Sequence, residues 1–256
     1  MDFSFVSYVS FVPYVPFLFP IAFPLPHPYT NGMNLLPVSI LPSLLAADPG
    51  ALAEGCRRAE AAGADEIHID IMDAHFVPNL SFSPAIVAMA KRAAPNLPRN
   101  VHLMMTHPHE YAERFIEAGA TTILIHVEPE YGILATLAAI RARGVRCGLV
   151  LNPETPARAV FPYLNEVDEI LCMTVRPGRG GQSFMPEVLP TIGAVRRAAD
   201  GAGNANLTLM VDGGINLETA TLCTAAGANA FVAGTFLYAM DDMAAGVRAL
   251  RKATKK

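Results

Sequence analysis

The sequence predicts an α/β protein whose strands and helices form a (β/α)8 TIM barrel in a single domain. From Val38 onward, an apolar strand pattern followed by a helix pattern occurs eight times. Strands that alternate with helices form parallel sheets, and eight such units in about 220 residues match the size of this barrel. A doubly wound open sheet is the alternative. The absence of GxGxxG after the first strand and the repeated helix ending AGA favour the barrel.

The eight units follow one another in a regular order. The strand patterns are VSILPSLL, EIHIDIMD, NVHLMM, TTILIHVE, CGLVLN, EILCMTV, LTLMVDGG and NAFVAGT. The helix patterns that follow them are DPGALAEGCRRAEAAGA, SPAIVAMAKRAA, HPHEYAERFIEAGA, YGILATLAAIRARG, PARAVFPYLNEV, PEVLPTIGAVRRAA, NLETATLCTAAGA and MDDMAAGVRALRKA. The first helix shows its boundaries most clearly, with Asp48 as N-cap, Pro49 at the first position and Gly63 at the end.

The first 32 residues differ in composition from the rest of the chain. They are rich in Phe, Pro and Val and carry one acid, Asp2, with no Lys or Arg. They lack the basic region and cleavage site of a signal peptide, and prolines interrupt every apolar run before it could span a membrane. We predict that residues 1–32 are an extension outside the fold and that residues 33–256 form the catalytic barrel domain. A membrane-associating segment is the alternative.

Charge and cysteine usage exclude some classes of partner. The net charge is -4, with no dense basic run, so the sequence does not predict binding to nucleic acid. The four cysteines show no CxxC spacing and lie in apolar segments, which favours buried thiols over disulfides. We therefore expect a cytoplasmic protein that binds neither nucleic acid nor a membrane.

The second strand has polar residues where an exposed strand would not need them. In EIHIDIMD, Ile67, Ile69 and Ile71 alternate with His68, Asp70 and Met72. Side chains in a strand alternate between its two faces, and in a barrel one face meets the helices while the other fills the interior. We therefore expect the isoleucines to face the helices and the other three residues to point inward, toward the carboxyl-terminal mouth.

Four ionisable residues reach this mouth from three strands, namely His68, Asp70, His102 and Asp212. A single interior histidine is more often a structural residue than a ligand. Two histidines and two carboxylates together form a donor set suited to Zn²⁺, Fe²⁺, Mn²⁺ or Co²⁺. Burying the carboxylates together without a cation would be costly. The inward-facing methionines Met72, Met104 and Met173 pack the interior or cap the metal site.

Three glycine turns follow the last three strands. They are PGRGGQ after strand six, DGG at the end of strand seven and AGT at the end of strand eight. Glycine lets backbone N–H groups approach a phosphate closely, and barrels of this type often bind phosphate after strands seven and eight. A phosphorylated substrate is therefore predicted.

Together these motifs resemble the ribulose-phosphate 3-epimerase family. The shared stretches are ILPSLLAAD with its Ser43, HIDIMDAHFVPN, VHLMM, PGRGGQSF, VDGGIN and AGT, and the resemblance covers residues 36–250. It implies a barrel of the ribulose-phosphate-binding type and a role in the pentose phosphate pathway. The implied reaction interconverts ribulose 5-phosphate and xylulose 5-phosphate with one divalent metal ion.

The resemblance also implies roles for individual residues. His68, Asp70, His102 and Asp212 would be the metal ligands, and Asp70 and Asp212 would also be the catalytic acid–base pair. The substrate and its phosphate would be contacted by Ser43, His102, Gly178, Arg179, Gly180, Gly181, Asp212, Gly213, Gly214, Gly234 and Thr235. We further expect a homo-oligomer acting on a small-molecule ketose phosphate.

The chain departs from the family pattern at two positions. The usual MDG is MDA here, with Ala74, and Arg179 replaces the aromatic residue of the usual PGFGG. Ala74 is unfavourable only if its turn requires a positive φ. The stretches LSFSP and GLVLNPETP resemble the allulose-6-phosphate 3-epimerase branch, whose substrate has one more carbon.

The predicted reaction agrees with the chemistry of these groups. The C3 proton of a 2-ketose can leave if the enediolate is stabilised, and a metal can do this as a Lewis acid. Inversion then requires a base on one face and an acid on the other, and Asp70 and Asp212 lie on well-separated strands. The alternatives are a lyase, which would need a lysine that no predicted strand contains, and a non-catalytic sugar-phosphate binder, which would not need the complete metal set.

Overall fold

Eight parallel strands form the centre of the computed structural model, which describes residues 36–255. The strands are β1 Ser39–Pro42, β2 Ile67–Met72, β3 Arg99–Met104, β4 Thr122–His126, β5 Arg146–Leu151, β6 Glu169–Met173, β7 Thr208–Asp212 and β8 Ala230–Ala233. They pair in the order β1-β8-β7-β6-β5-β4-β3-β2. A parallel bridge between Ser43 and His68 brings the end of β1 beside β2, so the sheet is a nearly closed barrel and the predicted fold is confirmed.

Helices follow most strands and cover the outside of the barrel. They are α1 Leu52–Ala61, α2 Pro84–Ala93, α3 Pro108–Ala118, α4 Ile133–Ala142, α5 Leu189–Gly201, α6 Leu217–Ala226, α7 Thr235–Tyr238 and α8 Met243–Ala253. The predicted cap Asp48 does accept a hydrogen bond, from the Gly50 amide at 2.9 Å, but it caps a 3-10 turn that precedes α1. The four-residue helix α7, directly after β8, is not predicted by the sequence analysis.

The helix predicted in the fifth unit is wrong. The segment PARAVFPYLNEV forms only two 3-10 turns, Ala157–Ala159 and Phe161–Tyr163. Pro162 lies in the middle of this segment and has no amide hydrogen for an α-helical hydrogen bond. The proline therefore limits the segment to short turns although its apolar spacing suggests a helix.

The predicted inside-outside alternation of the strands is confirmed. Ile67, Ile69 and Ile71 are fully buried in the layer between the strands and the helices. The interior of the barrel contains a separate apolar cluster made of Leu41, Leu124, Val150, Leu171, Met173, Val175, Met210, Ala230 and Val232. This apolar cluster fills part of the barrel interior, which also contains the buried polar residues His68, Asn100, His102 and Glu169.

The described residues, 36–255, form one compact unit, in line with a single barrel domain. The predicted extension, residues 1–32, lies outside the described residues. All four cysteines are buried and unpaired, as predicted. In the part of the chain that the structure describes, the helices are too short or too polar to cross a bilayer.

Candidate metal and substrate site

The four predicted metal ligands converge inside the carboxyl end of the barrel. His68 and Asp70 project from β2, His102 from β3 and Asp212 from the end of β7. One potential ligand atom from each residue lies within 4.8 Å of the other three. Asp70 Oδ1 lies 3.3 Å from His68 Nε2 and 3.2 Å from His102 Nδ1, so this carboxylate joins the two histidines.

The donor set fits a divalent metal ion. Two imidazole nitrogens and two carboxylates are ligands that Zn²⁺, Fe²⁺, Mn²⁺ and Co²⁺ accept. His68 Nε2 is buried and has no hydrogen bond of acceptable geometry, although Asp70 is near it. A buried polar atom without a partner destabilises the fold by roughly 1–3 kcal/mol, and ligation to a cation would remove that cost.

The electrostatic environments of the two carboxylates differ. Burial raises the pKa of Asp70, but His68 and His102 outweigh this effect and hold its pKa well below the usual range. Burial and the charge of Asp70 raise the pKa of Asp212 to about 7. Burial lowers the pKa of His68, but Asp70 and Asp212 outweigh burial and raise that pKa to about 9. His68 and Asp212, whose pKa values are raised, must release their protons before they can bind a metal ion. We therefore expect metal affinity to increase with pH.

Behind His68 lies a polar network that sequence reasoning missed. Asn100 Oδ1 lies 3.1 Å from His68 Nδ1, and Asn100 Nδ2 donates to Glu169 Oε2 at 2.8 Å. Arg146 pairs with the other oxygen of Glu169 at 2.7 Å. The network directs His68 Nε2 toward the metal cluster. Asn100 could have been found in NVHLMM, since it shares the inward face with His102.

Behind His102 lies a second network, also missed. His102 Nε2 is 2.9 Å from Nε2 of His126, the last residue of β4. His126 Nδ1 is 2.8 Å from Glu128 Oε2. Burial lowers the pKa of His102 to about 4, and burial also lowers the pKa of His126 although Glu128 opposes this effect. The inward histidine of TTILIHVE was the available signal.

A cavity of about 440 Å³ lies beside the four converging residues, at the mouth of the barrel. The predicted substrate residues that line it are Ser43, Gly178, Arg179, Gly180, Gly181, Asp212, Gly213, Gly214, Gly234 and Thr235. Asp70, predicted as a metal ligand and catalytic residue, lines it as well. His102, also predicted to contact the substrate, does not line the cavity, and both His68 and His102 are fully buried. The Ser43 hydroxyl donates to Asp70 Oδ2 at 2.8 Å, so Ser43 also orients a predicted metal ligand.

The three predicted capping methionines all line this cavity. Met72 and Met104 are buried together with Val77, and Met173 belongs to the apolar cluster inside the barrel. The three methionines therefore add apolar, polarisable surface to a cavity wall that also contains Asp70 and Asp212.

Two of the predicted phosphate-binding glycines are also required by packing. A Cβ on Gly213, whose φ is 122°, would lie 2.5 Å from Val175 Cγ2. A Cβ on Gly214, whose φ is 65°, would lie 2.6 Å from the backbone nitrogen of Phe184. These contacts explain the DGG turn by close packing and positive φ, independently of any ligand.

The loop after β2 touches the glycine loop after β6. The Asn79 side-chain amide donates to the carbonyl of Gly178 at 2.7 Å. In the loop after β2, Ala74 has a φ of 63°, and its amide donates to the carbonyl of Asn79 at 2.9 Å. The turn therefore does require a positive φ, and Ala74 occupies a position suited to glycine.

Comparisons with known proteins agree with the resemblance. The chain matches the model of the ribulose-phosphate 3 epimerase family over residues 39–238. The ribulose-phosphate 3-epimerase of Bacillus subtilis (strain 168) is 43% identical over 214 residues, which cover 84% of this chain and 98% of the relative. The enzyme of the same name from Eremothecium gossypii is 38% identical over 213 residues, covering 79% of this chain and 87% of that protein.

Solved structures with low sequence identity share the fold. A 3-hexulose-6-phosphate synthase has a TM-score of 0.59 at 17% identity, with 85% of this chain and all of that chain covered. KGPDC from Streptococcus mutans has a TM-score of 0.62 at 14% identity, with 86% and 97% covered. At these identities the likeness concerns the barrel alone.

Proposed function

The chain belongs to the ribulose-phosphate 3-epimerase family, and we propose that Asp70 and Asp212 carry out the proton transfers of its reaction. The chain is an isomerase that inverts C3 of ribulose 5-phosphate. The observation that supports the residue assignment is the convergence of His68, Asp70, His102 and Asp212 within 4.8 Å at the bottom of the cavity.

The four converging residues would hold one divalent metal ion. Bound there, the ion would supply Lewis acidity toward the oxygens at C2 and C3 of the sugar. The oxygen and nitrogen donors accept zinc, iron, manganese or cobalt. We propose this set of ions without choosing among them.

Asp70 and Asp212 approach the cavity from different sides of the barrel. In the sheet, β2 and β7 are separated by β1 and β8, and both carboxylates line the cavity. One carboxylate removes the C3 proton from one face of the sugar, and the other delivers a proton to the opposite face. The roles exchange when the reaction runs in reverse, because each epimer presents its C3 hydrogen to a different carboxylate.

The remaining residues of the cavity orient the substrate. The loop Gly178–Gly181, the DGG turn and Gly234 with Thr235 offer backbone N–H groups to the phosphate. Met72, Met104 and Met173 exclude water from the reacting carbon. We further propose that the enzyme is cytoplasmic and assembles as a homo-oligomer.

The assignment is tested with Asp212→Asn and Asp70→Asn in deuterated water. Each variant loses one proton carrier, so epimerisation should fall by at least ~10²–10⁴-fold. Exchange of the C3 hydrogen with solvent should be retained for one epimer in Asp212→Asn and for the other epimer in Asp70→Asn. Both ribulose 5-phosphate and xylulose 5-phosphate are therefore followed by NMR.

Metal content is measured in every sample, because weaker ligation alone would lower both activities together. Equal loss of exchange for both epimers in fully metal-loaded variants would contradict the assignment. Allulose 6-phosphate serves as a comparison substrate, and a higher kcat/KM for it than for ribulose 5-phosphate would show that the preferred sugar has six carbons.

A further inference from the structure

The ring of His126 is held in place on all sides at the end of β4. It is completely buried, and the Phe76 ring packs against it with 4.4 Å between centroids. The Tyr131 hydroxyl donates a hydrogen bond to the His126 backbone carbonyl at 2.5 Å. His126 is not among the residues that line the substrate cavity. Its two ring nitrogens instead contact His102 and Glu128.

The contacts of Glu128 determine which atom of His126 carries a proton. Glu128 Oε1 accepts from the Asn152 backbone N–H at 2.7 Å and from the Thr155 hydroxyl at 2.6 Å. Burial raises the pKa of Glu128, but the contacts with His126, Asn152 and Thr155 outweigh it and lower the pKa. The ionised carboxylate can only accept, so His126 Nδ1 must donate to Oε2 across 2.8 Å.

The direction of this hydrogen bond also determines the protonation of His102, one of the four converging residues. A neutral imidazole has one N–H, so a proton on Nδ1 of His126 leaves its Nε2 as an acceptor. His102 Nε2 then donates to it across 2.9 Å, and Nδ1 of His102 keeps a free lone pair. That Nδ1 faces Asp70 Oδ1 and belongs to the predicted ligand set. Asp70 competes for a proton on the same nitrogen, so Glu128 and Asp70 favour opposite tautomers of the His102–His126 pair.

We propose that His126 and Glu128 form a relay that holds His102 in the tautomer whose Nδ1 binds the metal. Both are positioning residues, since they act through His102. The inference rests on the proposed metal site and extends it to two residues that the sequence analysis did not identify. Partners behind metal-binding histidines typically contribute 10–100-fold in metal affinity.

Glu128→Gln is the most informative substitution, because it reverses the direction of the hydrogen bonds in the relay. The side chain keeps nearly the same size and shape. The Asn152 N–H requires an oxygen, so the Gln oxygen stays there and the Gln NH₂ faces His126. His126 Nδ1 must then accept, its Nε2 carries the proton, and His102 is left with its proton on Nδ1, directed at Asp70. Metal binding must displace that proton. His126→Gln retains the original polarity, since its NH₂ can donate to Glu128 and its oxygen can accept from His102.

The experiment titrates Co²⁺ into the metal-free full chain and follows visible absorption. We expect the Kd for Co²⁺ to rise about 10–100-fold in Glu128→Gln and to change by less than about threefold in His126→Gln. Glu154→Gln is the matched control, because Glu154 lies in the same loop as Asn152 and Thr155 but pairs with the exposed Arg176. Its Co²⁺ affinity should equal that of the unchanged protein. Melting temperatures show whether each variant is folded.

A second measurement observes the position of the His126 proton directly. Two-bond ¹H–¹⁵N NMR spectra of the zinc-loaded protein should show His126 with its proton on Nδ1, and those of metal-free Glu128→Gln should show it on Nε2. A proton on Nε2 of His126 in the zinc-loaded protein would overturn the relay, as would unchanged Co²⁺ affinity in folded Glu128→Gln. Failure of the unchanged protein to bind Co²⁺ or Zn²⁺ at all would instead overturn the proposed metal site.

Discussion

Replacing Ala74 by glycine should stabilise this protein, although glycine usually destabilises. Among the described residues Ala74 is alone, outside the glycines, in having a positive φ, at 63°. The loop does not let it relax: Asp73 Oδ1 accepts from the His75 and Phe76 amides at 2.9 and 3.3 Å, and the Ala74 amide is bonded to Asn79. The strain is therefore stored in the folded state.

The size of the effect follows from two opposing terms. The left-handed conformation costs a residue with a Cβ roughly 1–2 kcal/mol, and glycine removes this cost. Glycine also adds about 0.4–1 kcal/mol of backbone entropy to the unfolded chain, which opposes the gain. At the midpoints of these two ranges the net stabilisation is about 0.8 kcal/mol, which corresponds to a rise in Tm of roughly 2–3 °C for a barrel of this size.

The assay is urea unfolding of the metal-loaded protein followed by circular dichroism. Ala205→Gly is the matched control, because Ala205 is exposed in a turn and does not have a positive φ. It should lose about 0.4–1 kcal/mol, so the two variants should move the midpoint in opposite directions. If Ala74→Gly is destabilised as much as Ala205→Gly, the strain inferred from the backbone is absent.

Two further predictions concern the phosphate loop and the N-terminal segment. Arg179→Ala should raise the KM for ribulose 5-phosphate and weaken the salt dependence of kcat/KM, since a charge-assisted contact contributes roughly 1.5–3 kcal/mol once desolvated. Arg158→Ala, at another exposed arginine, should change neither quantity, and equal kinetics of the two variants would mean that Arg179 is only solvated. A protein that begins at Met33 should keep its unfolding midpoint and kcat/KM, because residues 1–32 are predicted to lie outside the fold. Loss of soluble protein on this truncation would contradict that prediction.

Much of the architecture and the four-residue cluster could be predicted because both depend on local periodicity. The alternation in EIHIDIMD has the two-residue period of a strand. In a parallel barrel the apolar isoleucines must then face the helices, and His68 and Asp70 must point into the barrel. The helix predicted in the fifth unit is an exception. Its apolar spacing is typical of a helix, but Pro162 has no amide hydrogen to donate, and the segment forms only 3-10 turns.

The tertiary structure alone decided which side chains lie behind the proposed metal ligands. Asn100 meets Glu169 from 69 positions away, and His126 reaches His102 because β3 and β4 are neighbours in register. Such contacts depend on which side chains meet when the sheet closes, and no local sequence pattern specifies that. The same holds for Gly213, whose missing Cβ is required by Val175 of another unit. Periodicity in the sequence fixes which way a side chain points, but its contacts are fixed only when the barrel closes.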